Sequence, residues 1–228
     1  HPVSDITFYR NVIRTIKNLG FNFIRFHTFV PAEEYMLAAD ELGIMLEVES
    51  PNNTTVEQME EIVRFCRKHP SVVMYSCGNE MPFTISFIEH LNKCADVVHE
   101  NCDSLFSPLS ALGRLEYNFE PEQTPVLKKE PFEHDPERFE RVGKFADVYN
   151  TFTNCHNSYE SLKVNPEEVD SWNDVYGKPR LSHEIGIHGT YTDLSLKKRY
   201  EGTRVGATDM FDSLERHLKD KGLYHKAP

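Results

Sequence analysis

The stretch "HPSVVMYSCGNE", residues 69–80, decides how the rest of the chain is read. Pro70 separates a basic helical segment from Val72, Val73, Met74 and Tyr75. That apolar run has the length and pattern of a strand buried on both faces of a parallel sheet. It finishes on Gly78-Asn79-Glu80, an amide beside a carboxylate. A charged group at the end of a buried strand either reaches water or sits in a site that holds it.

Outward from this strand the periodicity alternates. Phe8, Val12, Ile13, Ile16 and Leu19 recur at helical spacing, Gly20 closes that helix, and "FNFIRF" follows as a short apolar run. Tyr35, Ala38, Ala39 and Leu42 mark a second helix that stops at Gly43 before "IMLEVE". A third helix carries Met59, Ile62, Val63 and Cys66, and a fourth carries Phe87, Leu91, Ala95 and Val98 before "SLFSPLSAL". Between 113 and 144 the sequence turns Pro-rich and charged ("EPEQTPVLKKEPFEHDPER"), the composition of a long loop inserted over one end of the sheet. The strand pattern resumes in "ADVYNTF", an acidic helical stretch runs from about Asn165 to Tyr176, and "RLSHEIG" is the next strand. Residues 194–221 read as one or two helices with polar faces.

Six strands are therefore expected, beginning near residues 21, 44, 71, 104, 146 and 180, with helices between them. Two α/β architectures fit, an open doubly wound sheet or most of a (β/α)8 TIM barrel. No G-x-G-x-x-G or G-x-x-x-x-G-K-[ST] turn is present for the nucleotide uses of the first. The barrel gains from where the polar residues lie: Arg25 and His27, Glu47 and Glu49, Asn79 and Glu80, Tyr149 and Asn150, His183 and Glu184 all close their strands. In a barrel those ends converge on one mouth.

Composition narrows the partners. The 228 residues carry 25 basic and 36 acidic side chains, a net charge of −11, with no basic run interleaved with aromatics. Nucleic acid and anionic lipid are disfavoured. No apolar run approaches the roughly 18 residues of a membrane span. The N-terminus has neither an initiator Met nor the order of a signal peptide, so the chain reads as cut from something longer. The five cysteines are odd in number, lack a CxxC pair and are expected as free thiols, most of them buried. Asn52 and Asn53 open overlapping N-x-Thr sequons, which decide nothing about compartment.

Two carboxylates at strand ends suit glycoside hydrolysis, in which one carboxylic acid protonates the leaving oxygen and one carboxylate acts on the anomeric carbon or on water. Glu80 and Glu184 form the pair. In a retaining site their carboxyls lie about 5–5.5 Å apart, with one pKa raised by its neighbour and by burial. Arg25 is the cation that keeps the other ionised, and Asn79 offers an amide to a sugar 2-hydroxyl. Trp172 and Tyr176 have the flat rings that stack on a sugar face, although a lone Trp is as often part of a core. Plainer readings stand beside these: Glu80 as a carboxylate at a helix N-terminus near Pro82, Glu184 as an exposed loop acid, Arg25 as a partner of Glu47 or Glu49, and the histidines as ordinary polar residues. A metal held by His27, Glu49 and His183 is a further alternative, without the H-x-H or H-E-x-x-H spacing that would support it.

"GFNFIRFHTFVPAEEYMLAADELGIMLEVESP" followed by "HPSVVMYSCGNE" resembles the catalytic barrel of glycoside hydrolase family 2, the β-galactosidases, β-glucuronidases and β-mannosidases. The similarity is densest over residues 10–81. It implies a retaining β-glycosidase with Glu80 as acid/base, Asn79 as its sugar-binding neighbour and Glu184 in "LSHEIG" as nucleophile. Arg25 and His27 match the family's second-strand pair, while Tyr149, Asn150, His183 and Trp172 complete the expected substrate contacts. The sixth-strand Tyr of the family falls on Tyr149, or its slot is taken by Phe152. The resemblance further implies one catalytic barrel domain over 1–228, with its first and last strands and the flanking β-sandwich domains in a parent chain. It implies a carbohydrate substrate with no cofactor or metal, and favours a secreted or periplasmic location. A sugar-binding barrel without catalysis, or a metal-dependent barrel hydrolase, are the competing functions.

Overall fold

The computed structural model describes residues 3–81, 84–110, 136–151, 177–182, 193–203 and 207–226. The elements run α1 (Ile6–Asn18), β1 (Phe23–Phe26), α2 (Glu33–Leu42), β2 (Met45–Glu49), α3 (Val56–Cys66), β3 (Val72–Ser76), α4 (Ile85–Asn101), β4 (Leu105–Ser107), α5 (Pro136–Gly143), β5 (Tyr149–Thr151) and β6 (Arg180–Ser182). All six expected strands are present. β1 to β4 form one sheet in chain order, every pair parallel, and β5 pairs parallel with β6. An order of 1-2-3-4 without reversal is that of a TIM barrel rather than a doubly wound sheet, and the chain holds part of such a barrel. Between β4 and β5 the Asp147 amide donates to the Phe106 carbonyl at 2.9 Å, which carries the pairing onward.

Local chemistry sets the element ends. Asp5 caps α1 by accepting from the Thr7 amide at 2.8 Å, and Thr55 and Gln58 form a reciprocal capping box on α3. Gly43, at φ 68, terminates α2 in the left-handed conformation that an L side chain resists. Each helix lays an apolar stripe on the sheet: Tyr9 and Ile13 from α1, Met36 and Ala39 from α2, Met59 and Val63 from α3, Leu91 and Ala95 from α4. They meet the outward residues of the strands, Leu46, Val48 and Tyr75 among them. A fully buried Leu, Ile or Met contributes on the order of 2 kcal/mol, so this outer layer supplies the main stabilisation. The opposite faces of β1, β2 and β3 carry Arg25, Glu47, Glu49 and Ser76 with Met74 among them, so the interior is largely polar toward the strand C-termini. Between β2 and β3 the register shifts after Leu46, which pairs with Val72, so that Glu47 pairs with Met74 and Glu49 with Ser76.

The contacts divide the chain into two compact units, His1–Gly186 and Ile187–Pro228. The second holds a 3-10 turn at Leu194–Leu196, α6 (Lys197–Tyr200) and α7 (Ala207–Asp220). The Tyr200 and Phe211 rings meet at a tilt of 44° with centroids 5.5 Å apart, and Lys197 pairs with Asp212. One sequence expectation needs restating. α5 lies within the span 113–144 expected to be loop. Pro136 supplies the preset φ of a first helical position, and its charged neighbours dilute the apolar period that would have marked a helix. Residues 111–135 and the acidic stretch at 165–176 lie outside the described residues. Cys66, Cys77, Cys94 and Cys102 are free thiols, the first three buried. No helix among the described residues is long and apolar enough to cross a membrane.

Candidate active site

Glu49, at the last position of β2, organises the strand ends. It is fully buried and accepts from Arg25 Nε at 3.0 Å, from Arg25 Nη2 at 3.4 Å, from the Thr28 amide at 2.8 Å and from the Ser110 hydroxyl. A buried carboxylate with this many donors is one whose desolvation is compensated. Holding the Thr28 amide forces that residue to φ 54, an outlying conformation for a β-branched side chain. His27 stays exposed, its Nδ1 3.1 Å from Thr28 Oγ1.

Arg25 then reaches across to β3. Its Nη2 donates to Asn79 Oδ1 at 2.7 Å, which orients the amide so that Nδ2 is its donor end. Beyond Ser76 the β3 backbone continues beside the segment after β4: Ser110 donates its amide to the Gly78 carbonyl at 3.0 Å and accepts from the Glu80 amide at 3.0 Å. On the other side the Asn79 amide donates to Asn52 Oδ1 at 2.7 Å. Gly78 and Glu80 both have positive φ, 79 and 53. Glu80 is half-buried at this sharp turn. Helix α4 starts later, with Thr84 as its N-cap, so Glu80 precedes the helix rather than occupying its first turn. Strain of this kind, about 1–3 kcal/mol per residue, persists where surrounding contacts over-determine it.

Glu47 is the second interior acid. It accepts from Ser76 Oγ at 2.9 Å and from Asn150 Nδ2 at 2.5 Å, both at Oε1. Burial pushes its pKa up to about 7, against the lowering by the Ser76 hydrogen bond and by Arg25.

The structure thus brings Arg25, Asn79 and Glu80 together, with His27 at the same rim. Asn150 is buried in the interior against Glu47. Tyr149 departs from expectation. It is 1% exposed within the outer apolar layer, its hydroxyl lying close to Gly143 of α5, because strand alternation sends it opposite to Asn150. Burial raises its pKa. Glu184, His183, Trp172, Tyr176 and Phe152 lie outside the described residues. The expected pairing of Arg25 with Glu47 or Glu49 is met at Glu49, whereas the sequence gives no sign of the contacts that Asn52, Ser110 and Thr28 make. Asn52 carries only a sequon pattern, and Ser110 lies in a mostly apolar run. No group of three His, Cys, Asp or Glu among the described residues is placed to hold a metal.

Residues 47–103, which carry Glu47, Glu49, Asn52, Asn79 and Glu80, match the family described as glycosyl hydrolases family 2, TIM barrel domain. That stretch is similar to a segment of the family 2 barrel. A protein of Formosa agariphila named "Putative beta-glucuronidase" is 27% identical over 132 residues, 53% of this chain and 15% of that relative. Among solved structures, a β-D-glucuronidase of Dictyoglomus thermophilum aligns at a TM-score of 0.56 with 17% identity, covering 83% of this chain and 35% of that one. A family 2 member from Bacteroides cellulosilyticus aligns at 0.55 with 17% identity, covering 86% and 23%. The β-glucuronidase of Ruminococcus gnavus, in complex with D-glucuronic acid, aligns at 0.54 with 15% identity, covering 81% and 33%. These structures share the barrel fold. The chain spans 15% of the curated relative's length, and the matched segment supplies Glu47, Glu49, Asn79 and Glu80 to the polar strand ends.

Proposed function

We propose that this family 2 barrel acts as a retaining β-glycosidase, with Glu80 as acid/base and Glu184 as nucleophile. In the first step Glu184 attacks the anomeric carbon while Glu80 protonates the departing oxygen. In the second, Glu80 takes a proton from the water that displaces Glu184. The observation that supports this most is the hold on Asn79 and Glu80: a half-buried acid at a strained turn, beside an amide oriented by Arg25 toward donation. Such an amide suits a sugar hydroxyl whose hydrogen bond strengthens in the transition state. His27, His183 and Trp172 are proposed as further sugar contacts. β-Glucuronides are the first substrates to assay, because relatives of this chain bear the name β-glucuronidase.

The test uses aryl β-glycosides and the full polypeptide that carries these residues. Glu80→Ala should retain the first step with a nitrophenolate leaving group, stall at the second, and recover with azide to give a β-glycosyl azide. Glu184→Ala should lose all substrates alike and yield the α-azide. The same anomer from both variants, or leaving-group dependence in Glu184→Ala instead, overturns the assignment.

A further inference from the structure

We propose that Asn52 is a positioning residue for the acid/base: its side-chain oxygen fixes the turn that aims Glu80. The inference rests on the role given to Glu80 above. Asn52 lies in the loop between β2 and α3, and its Oδ1 accepts from the Asn79 amide at 2.7 Å. From the other side Ser110 takes the Gly78 carbonyl and the Glu80 amide, each at 3.0 Å. The two peptide groups on either side of Asn79 are therefore held from two directions, and the two flanking residues, Gly78 and Glu80, sit at φ 79 and 53. The approach is close: a Cβ added at Gly78 would stand 2.7 Å from Asn52 Oδ1 and 3.4 Å from its Cα. Gly78 is thus the residue that lets the strand end pass Asn52, and Asn52 is the acceptor that makes the passage favourable.

The physical consequence falls on Glu80. A Glu at positive φ relaxes toward negative φ when its neighbours cease to hold it. That rotation swings the carboxyl away from its place, and a misplacement of about 1 Å costs on the order of 10²-fold in rate. Asn52 itself is exposed and belongs to no apolar cluster, so its loss removes alignment while leaving the packed layer intact.

The experiment compares Asn52→Ala, Asn52→Asp and Glu80→Ala in the full polypeptide, across aryl β-glycosides whose leaving groups range from phenol to dinitrophenol. Asn52→Ala is expected to lose about 10²-fold in kcat/KM on the poorest leaving group and far less on the best, with an unchanged melting temperature. A merely structural role would lower all substrates by one factor. Asn52→Asp keeps an acceptor oxygen and is expected to restore most of the activity on poor leaving groups. A uniform fall in Asn52→Ala, wild-type rates in that variant, or no recovery in Asn52→Asp, each with leaving-group dependence intact in Glu80→Ala, overturns the role of Asn52. Loss of that dependence in Glu80→Ala itself overturns the reading of Glu80, and this proposal with it.

Discussion

The two ends of the strands solve the same geometric problem with different residues. Where helices feed strands, at the N-terminal ends, the left-handed conformations fall on glycines, Gly20 at φ 90 and Gly43 at φ 68. Where strands feed helices, they also fall on Thr28, Asn53 and Glu80, which follow β1, β2 and β3 and are the non-glycine residues with positive φ among those described. Polar clusters differ in the same way. At the N-terminal end of β3, His69 Nδ1 lies 2.7 Å from Asp40 Oδ2, and the Ser71 amide donates to Asp40 Oδ1 at 2.9 Å, all without strain. At the C-terminal end, Glu49 bends Thr28 to satisfy itself. One end is built for stability, and the other holds strain in place, as a face that carries chemistry does.

The contrast can be broken most forcefully at Arg25. Arg25→Met would leave Glu49, fully buried, without its cation, and the loss is expected at about 3–5 kcal/mol by chemical denaturation, with turnover abolished. A loss below about 1 kcal/mol would mean that the interior hydroxyl and amide donors suffice alone.

Glu47 sharpens the picture through pH. Its native pKa of about 7 stands above the ordinary 4.5, so between those values the folded protein keeps a proton that the unfolded chain has released. Stability therefore falls as pH rises from about 4.5 to 7, and the cost is complete above that range. Glu47→Gln, which mimics the protonated acid, should match the wild type at low pH and exceed it by about 3 kcal/mol at pH 8. Equal pH dependence in variant and wild type would show that Glu47 ionises without penalty.

At the opposite end, Asp40→Ala should cost about 1–3 kcal/mol by stranding the Ser71 amide and the His69 ring, with kcat unchanged. A fall in kcat beyond the loss of folded protein would erase the division between the two ends. The smallest effect is expected at Gly20→Ala. A Cβ there meets nothing within 4 Å, so the cost is that of the left-handed backbone alone, about 1 kcal/mol. The same change at Gly78, at nearly the same φ, adds the collision with Asn52 and should lower activity as well.

The barrel order was legible because four helices place apolar residues at helical spacing and each is followed by a short apolar strand. Arg25, Asn79 and Glu80 were legible for a related reason: polar side chains that close apolar strands converge when the strands are parallel. Tyr149 and Asn150 show the limit. Adjacent residues of one strand face opposite sides, and a run as short as Tyr149–Thr151 does not reveal which side is interior. Asn52 and Ser110 act on the backbone of Gly78, Asn79 and Glu80, and a contact between a side chain and a distant peptide group has no sequence period to betray it.

The register shift after Leu46 reaches beyond pairing. Because β3 carries an additional residue at Val73, the count from Val72 to Glu80 is locked to the count from Leu46 to Asn52, and Asn79 meets Asn52 only while both hold. Length change is thereby partitioned within the chain. An insertion in the turn before Val72 leaves both counts untouched and is absorbed at the surface, whereas a deletion inside β3 moves every later side chain to the opposite face. Indels within Leu46–Asn52 or within Val72–Glu80 can then persist only in matched pairs, which makes these two stretches, and not the helix between them, the length-constrained part.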